Sequence, residues 1–135
     1  MIHSSDEWTR MSWFKRVVRE AWIRIGIIPR PELIVRFVGA HPPRDEIEAG
    51  VLYVVRNQGF AKWALFRCPK HEDEIIQLSL MPNRRPRWAV TSDFFERPTI
   101  YPSVRQLEGS NAHFWVRGGT VSWCADTGQK PRQPS

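Results

Sequence analysis

Cysteine is scarce in this chain: 135 residues hold two, Cys68 and Cys124. A disulfide-stapled scaffold is therefore excluded, and with no export signal the pair reads as thiols or metal ligands before it reads as a disulfide. Long apolar runs are missing too. Nothing approaches the roughly eighteen residues of a membrane span, and no apolar N-terminal region leads to a small-residue cleavage site, so a cytoplasmic protein is expected. Internal repeats are absent, as are the Gly-x-Ser-x-Gly, His-Glu-x-x-His, phosphate-loop and dinucleotide signatures. The carboxylate groups Asp45, Glu46, Glu48 and Glu72, Asp73, Glu74 fall in polar connectors, where a solvated surface is the plainer reading.

What is present suffices for one domain. Hydrophobic residues make up 41% of the chain, with seven Trp and seven Phe, enough for a modest core. The formal net charge is +6, and sixteen of the twenty basic residues are arginine, a side chain suited to carboxylates and phosphates alike. The arginines are scattered, densest at Arg84, Arg85 and Arg87, which points first to a solvated basic surface. An acidic partner or nucleic acid is the alternative.

Residues 4–28 have the period of an amphipathic helix, with Ser4 and Glu7 spaced as a capping box and an apolar stripe at Met11, Phe14, Val18, Trp22 and Ile25. Lys15, Arg16, Arg19 and Arg24 form its polar side, and Gly26, Pro29 and Pro31 end it. Such a helix usually packs its stripe on its own domain. From Glu32 the period changes to that of strands: "ELIVRFVG", "VLYVVR", "AKWALFRC", "EIIQLSL", "RWAVTSDF" and "AHFWVRGGTVSWC" are apolar or alternating and separated by turn residues. The expected fold class is α+β, an N-terminal amphipathic helix (1–31) packed on a small antiparallel sheet or meander (32–125), followed by a polar tail (126–135).

Within the last of those segments, Gly118-Gly119 makes a two-residue hairpin loop of type I′ or II′. Counting outward sets Arg117 against Thr120, Val116 against Val121, Trp115 against Ser122, Phe114 against Trp123, and His113 against Cys124. Opposed side chains share a face, about 5 Å apart at Cβ. Phe114, Val116, Val121 and Trp123 take the core side, and His113 and Cys124 the other. Cys68-Pro-Lys-His71 adds a Cys-x2-His knuckle at a strand end, so Cys68, His71, His113 and Cys124 offer a zinc-binding set. A plain structural role without metal and a catalytic thiol remain open beside it.

The segments "GVLYVV", "FRCP", "RPRW", "TIYPSV", "HFW" and "VSW" resemble those of a small bacterial family known as DUF6527, over roughly residues 50–124. In that family a Cys-x-Cys-Gly-Cys-Gly cluster and a later Cys-x-Ser-His imply bound zinc. Members are often encoded beside ubiquitin-like proteins and their E1-like, E2-like and JAB-type enzymes. This chain keeps Cys68 and His113, but Lys70 and Glu72 stand where cluster cysteines would, and Ser110 replaces the later one. The resemblance implies a place in a bacterial ubiquitin-like conjugation pathway. The expectation is a non-catalytic, zinc-supported interaction module that binds a ubiquitin-like protein or E1/E2-like enzymes through surfaces such as Arg84, Arg85 and Arg87, with neither a nucleic acid nor a membrane as its main partner. The alternatives are a Cys/His thiol enzyme of acyl transfer, with His113 beside Cys124, and a nucleic-acid-binding β module.

Overall fold

The computed structural model describes residues 4–130, and side chains from residue 12 onward. Helix α1 runs over Ser4–Arg24. It stops before Ile28 because Gly26, at φ +79°, adopts a left-handed conformation. The amide of Ile27 reaches the carbonyl of Trp22 (3.0 Å) and that of Gly26 the carbonyl of Ile23 (3.1 Å), the paired bonds of a Schellman ending. Ser4, Glu7 and Met11 lie outside the described side chains.

The rest of the stripe is used only in part: Val18 is half-buried and Trp22 leans on Phe95, ring centroids 6.1 Å apart, but Phe14 and Ile25 are exposed, and the buried helix residue among the described side chains is Arg19, from the polar side. Its Nη1 donates to the carbonyl of Phe95 (3.0 Å) and pairs with Glu96 (3.3 Å). The helix thus docks by a charge-assisted contact on the segment before Pro98, while the core is filled by the strands.

Among the described residues, eight strands form two four-stranded sheets. The first has β1 (Ile34–Val38), β2 (Val51–Asn57), β3 (Phe60–Arg67) and β4 (Ile75–Ser79) in sequential order, and the second β5 (Ala89–Ser92), β6 (Pro98–Arg105), β7 (His113–Arg117) and β8 (Thr120–Trp123) likewise. All neighbours are antiparallel except β1 and β2, which are parallel. A parallel pair needs a crossover, which the 39–50 connector supplies with a 3-10 turn at Arg44–Glu46. That connector buries Ile47 with Val51, Tyr53, Val55 and Leu65 on the outer face of the first sheet, so β2 is buried on both sides. The main core lies between the sheets, where Leu52, Phe66 and Leu78 meet Ile100, Phe114 and Val116. Phe66 and Phe114 touch edge to face, centroids 6.1 Å apart at 90°, an arrangement favoured by the ring quadrupoles.

Strand β6 departs from the sequence reading, which placed no strand there. Two prolines, at 98 and 102, remove ladder donors and disguise it. Pairing is Ile100 with Val116 and Val104 with Phe114, so four residues of advance on β6 match two on β7. This bulge is where Pro102 is accommodated.

The closing hairpin has the expected register from Phe114–Trp123 to Arg117–Thr120, and Cys124 N–H donates to the carbonyl of His113 at 2.9 Å. Phe114, Val116 and Val121 are buried, but Trp123 is 39% exposed, because β8 is an edge strand and its ring merely leans on Phe114. Gly118 and Gly119 both have positive φ, +56° and +78°. Gly119 is also crowded. Its carbonyl accepts from Glu32 and Leu33 N–H, and a Cβ there would stand 2.7 Å from the Leu33 carbonyl oxygen and from Pro31 Cβ, whereas Gly118 has open space.

Alanine at either glycine incurs the left-handed cost of about 1–2 kcal/mol, but only Gly119→Ala adds a backbone collision. Urea melts should place Gly119→Ala well below Gly118→Ala; equal losses would mean that the close approach to Leu33 is not a constraint.

Candidate active site

Because Phe114 and Val116 point inward, the alternation of β7 sends His113, Trp115 and Arg117 to the outer face of the second sheet. Arg105 on β6 lies opposite His113. Ser103, two residues before Arg105, occupies the same face, and the bulge presents it to the histidine: Ser103 Oγ lies 3.1 Å from His113 Nε2. The carbonyl of Ser103 accepts from the indole Nε1 of Trp88 (3.2 Å), fixing its backbone from the side of β5.

The other ring nitrogen is engaged by a carboxylate, His113 Nδ1 lying 2.7 Å from Asp126 Oδ1. Asp126 sits in a turn just past β8 that is tied down by Gly128 N–H on the carbonyl of Asn111 (2.8 Å) and by the Thr127 hydroxyl, which accepts from His113 N–H (3.0 Å). Arg105 closes the arrangement from the far side, donating from Nη1 to Asp126 Oδ2 (2.7 Å) and from Nη2 to the carbonyl of Gln129 (2.5 Å).

These contacts assign the tautomer. A carboxylate can only accept, so Nδ1 carries the proton, and in the neutral ring Nε2 then presents its lone pair to the Ser103 hydroxyl. Arg105 Nη1 is also 3.0 Å from Nδ1, but two donors cannot bond each other, and both are aimed at the carboxylate between them. The hydrogen bond from His113, and then that from Arg105, hold the Asp126 carboxyl below the usual carboxylate range against the opposing effect of desolvation. A hydroxyl, an imidazole and an ionised carboxylate in this sequence of contacts are the components of nucleophilic acyl transfer, with nucleophile, base and orienting group each within hydrogen-bond reach of the next.

Of the residues singled out from sequence, His113 and Cys124 are brought together as the register requires. One donor atom from each, with one from Asp126, lies within 4.8 Å of the others, a group to which neither Cys68 nor His71 belongs. Cys68 is fully buried in the inter-sheet core, and His71 is exposed in the turn that follows it. Ser110, at the position of the family's later cysteine, instead bonds Glu74: its N–H and hydroxyl reach the two carboxylate oxygens at 2.9 and 2.7 Å. Arg84, Arg85 and Arg87 are exposed on the β4–β5 connector, with the Arg84 guanidinium over the Trp63 ring.

Sequence reasoning missed Ser103 and Asp126. The first lay in a proline-bearing stretch not read as a strand, and the second was assigned to the polar tail. Reading 98–105 as a strand and pairing Arg105 with His113 would have put Ser103 on the histidine's face. For Asp126 the signal is fainter, a turn-forming Asp-Thr-Gly just past the hairpin.

Comparison with curated proteins and with solved structures yields no match. A family model described as "Bacterial ubiquitination-like system serine protease (BubE)" matches residues 37–124. That description overturns the expectation of a non-catalytic accessory module and agrees better with the alternative of a transfer enzyme, with one difference: a serine hydroxyl, not the Cys124 thiol, is within hydrogen-bond reach of the imidazole. The match spans more than half of the chain, over the strands that carry Ser103 and His113, and the protein belongs to the BubE family of bacterial ubiquitination-like system serine proteases.

Proposed function

We propose that this protein is a serine protease in which Ser103 is the nucleophile, His113 the general base and acid, and Asp126 the group that orients and stabilises the imidazolium. The observation that carries the reading is the pair of contacts on one ring: Ser103 Oγ 3.1 Å from Nε2, and Asp126 Oδ1 2.7 Å from Nδ1. Ser103 Oγ attacks the scissile carbonyl carbon while its proton passes to Nε2. The tetrahedral adduct collapses with cleavage of the C–N bond, and the departing amine takes that proton. Water, deprotonated by the same nitrogen, then attacks the ester and releases Ser103. Asp126 accepts from Nδ1–H throughout and favours the charged ring at the moment it forms.

The substrate is an amide bond of a ubiquitin-like protein in the same pathway, with E1-like and E2-like enzymes as further partners. Supporting this is the open face around Ser103, where Tyr101 is exposed, Trp115 lies 6.3 Å from it by ring centroids, and the Arg117 guanidinium stands 4.4 Å above the Trp115 ring. An aromatic platform rimmed by arginine suits an extended peptide segment bearing acidic or carboxylate groups.

Ser103→Ala should abolish labelling by a fluorophosphonate probe, and with it turnover of a ubiquitin-like fusion, by a factor on the order of 10⁴ or more. Label mapped by mass spectrometry to Cys124, or turnover unchanged in the variant, would sink the assignment. Asp126→Asn, which cannot hold Nδ1–H in the same way, should lower kcat by about 10³–10⁴-fold with KM little changed.

A pH dependence of stability follows from the lowered Asp126 pKa. Its contribution is fully present above the unfolded-state value of about 3.9 and is lost as pH falls through the lower folded value. Thermal melts of the native protein should therefore weaken more steeply than those of Asp126→Asn as pH is taken below that value. Parallel curves would show that the carboxylate makes no such contribution.

A further inference from the structure

We propose that the catalytic centre doubles as a regulatory zinc site, in which His113, Cys124 and Asp126 bind one Zn²⁺ and the bound ion switches the protease off. This rests on the assignment of His113 as the base.

The donors come from three directions. His113 is at the start of β7, Cys124 directly after β8 and opposite it, and Asp126 two residues further in the turn, with one donor atom of each within 4.8 Å of the other two. The set is a neutral nitrogen, a soft sulfur and a hard carboxylate oxygen, a combination that zinc accepts in four-coordinate sites with one position left open. With zinc–ligand bonds of about 2.0–2.3 Å the donors of a tetrahedral site stand about 3.3–3.6 Å apart, so the wider gaps within the 4.8 Å group close by about 1 Å, while the 2.7 Å contact of Asp126 with Nδ1 opens if that nitrogen is the ligand. Thiolate and carboxylate together cancel the charge of the ion itself, while the Arg105 guanidinium, 2.7 Å from Asp126 Oδ2, leaves a positive charge beside it. Cys124 is half-buried, reachable by the ion, and has no disulfide partner.

The chemistry makes inhibition obligatory. Zinc displaces the proton of the Cys124 thiol to solvent and takes a lone pair of the imidazole. If that pair is on Nε2, the nitrogen that must accept the Ser103 proton is occupied. If it is on Nδ1, the ring proton moves to Nε2, which then has no lone pair for Ser103, and Asp126 is turned from ring to metal. Either way the base is lost. Cys124 itself takes no part in the uninhibited reaction, which gives the switch its own handle.

Cobalt(II) reports the site independently of catalysis. Titrated into the Ser103→Ala full chain, it should bind one equivalent and show visible d–d bands of a four-coordinate ion with a thiolate charge-transfer band in the near ultraviolet. Both should vanish in Ser103→Ala/Cys124→Ser and persist in Ser103→Ala/His71→Ala. In the protein with Ser103 intact, zinc chloride should inhibit turnover reversibly, restored by a chelator, and Cys124→Ser or Cys124→Ala should raise the half-inhibitory concentration at least about tenfold. The proposal is overturned if no thiolate band appears, if the band survives loss of Cys124 or requires His71, or if zinc inhibits the Cys124 variants as strongly as the parent. A cobalt site that behaves as expected in a chain with no peptidase activity would leave the metal site standing and fail the protease assignment instead.

Discussion

The backbone of Gly119 is wedged against the strand that opens the first sheet, and much of the molecule is aligned by that contact. The turn accepts the N–H groups of Glu32 and Leu33, while its own N–H reaches the carbonyl of Pro98 and the Glu32 carboxylate accepts from Val121 N–H. One tight turn therefore clamps the entry to β1, the start of β6 and the first residues of β8. With the turn fixed, the pairing of β7 and β8 has a single register, and the inward set is fixed with it. Phe114 and Val116 then fill the space against Phe66, and a slip of one residue would bury His113 and expose both.

The site is built on the reverse of that face, and its construction is economical in the sense that few elements contribute. Regular pairing would leave Ser103 in line along β6; the bulge opposite Trp115 re-aims it, as bulges beside reactive groups commonly do. Arg105, one alternation further on, holds the carboxylate that holds the ring. The result is a chain of four polar groups, from Ser103 through His113 and Asp126 to Arg105, in which each member's orientation is limited by the next.

How much of this could be read from the sequence differs sharply between the two strands that meet at the site. The closing hairpin was legible to the single residue, because Gly-Gly demands a particular turn and strict alternation does the rest. It placed His113 beside Cys124 without any knowledge of the fold. Strand β6 was not legible, because Pro98 and Pro102 argue against a strand wherever pairing is regular, and tolerance of proline at a bulge is decided by tertiary context. The helix shows the same limit: its period gave the element and nearly its length, but which face docks was settled by a carbonyl and a carboxylate near β6 that pair with Arg19, a contact no local pattern announces. Burial of the stretch from Val51 to Val55 on both faces follows from a connector folding back, which composition likewise does not reveal.

The three groups proposed to act on the substrate come from the stretch between Ser103 and Asp126, two of them on strands of one sheet and the third in the turn that follows it. No cleft between lobes has to close to assemble them, and the first sheet contributes support from behind without a side chain in the chemistry. Its outward surface, including the connector that bears Arg84, Arg85 and Arg87, is thereby released from catalytic constraint. Evolution can vary that half of the molecule, and with it what the protein adheres to, while leaving the reaction untouched.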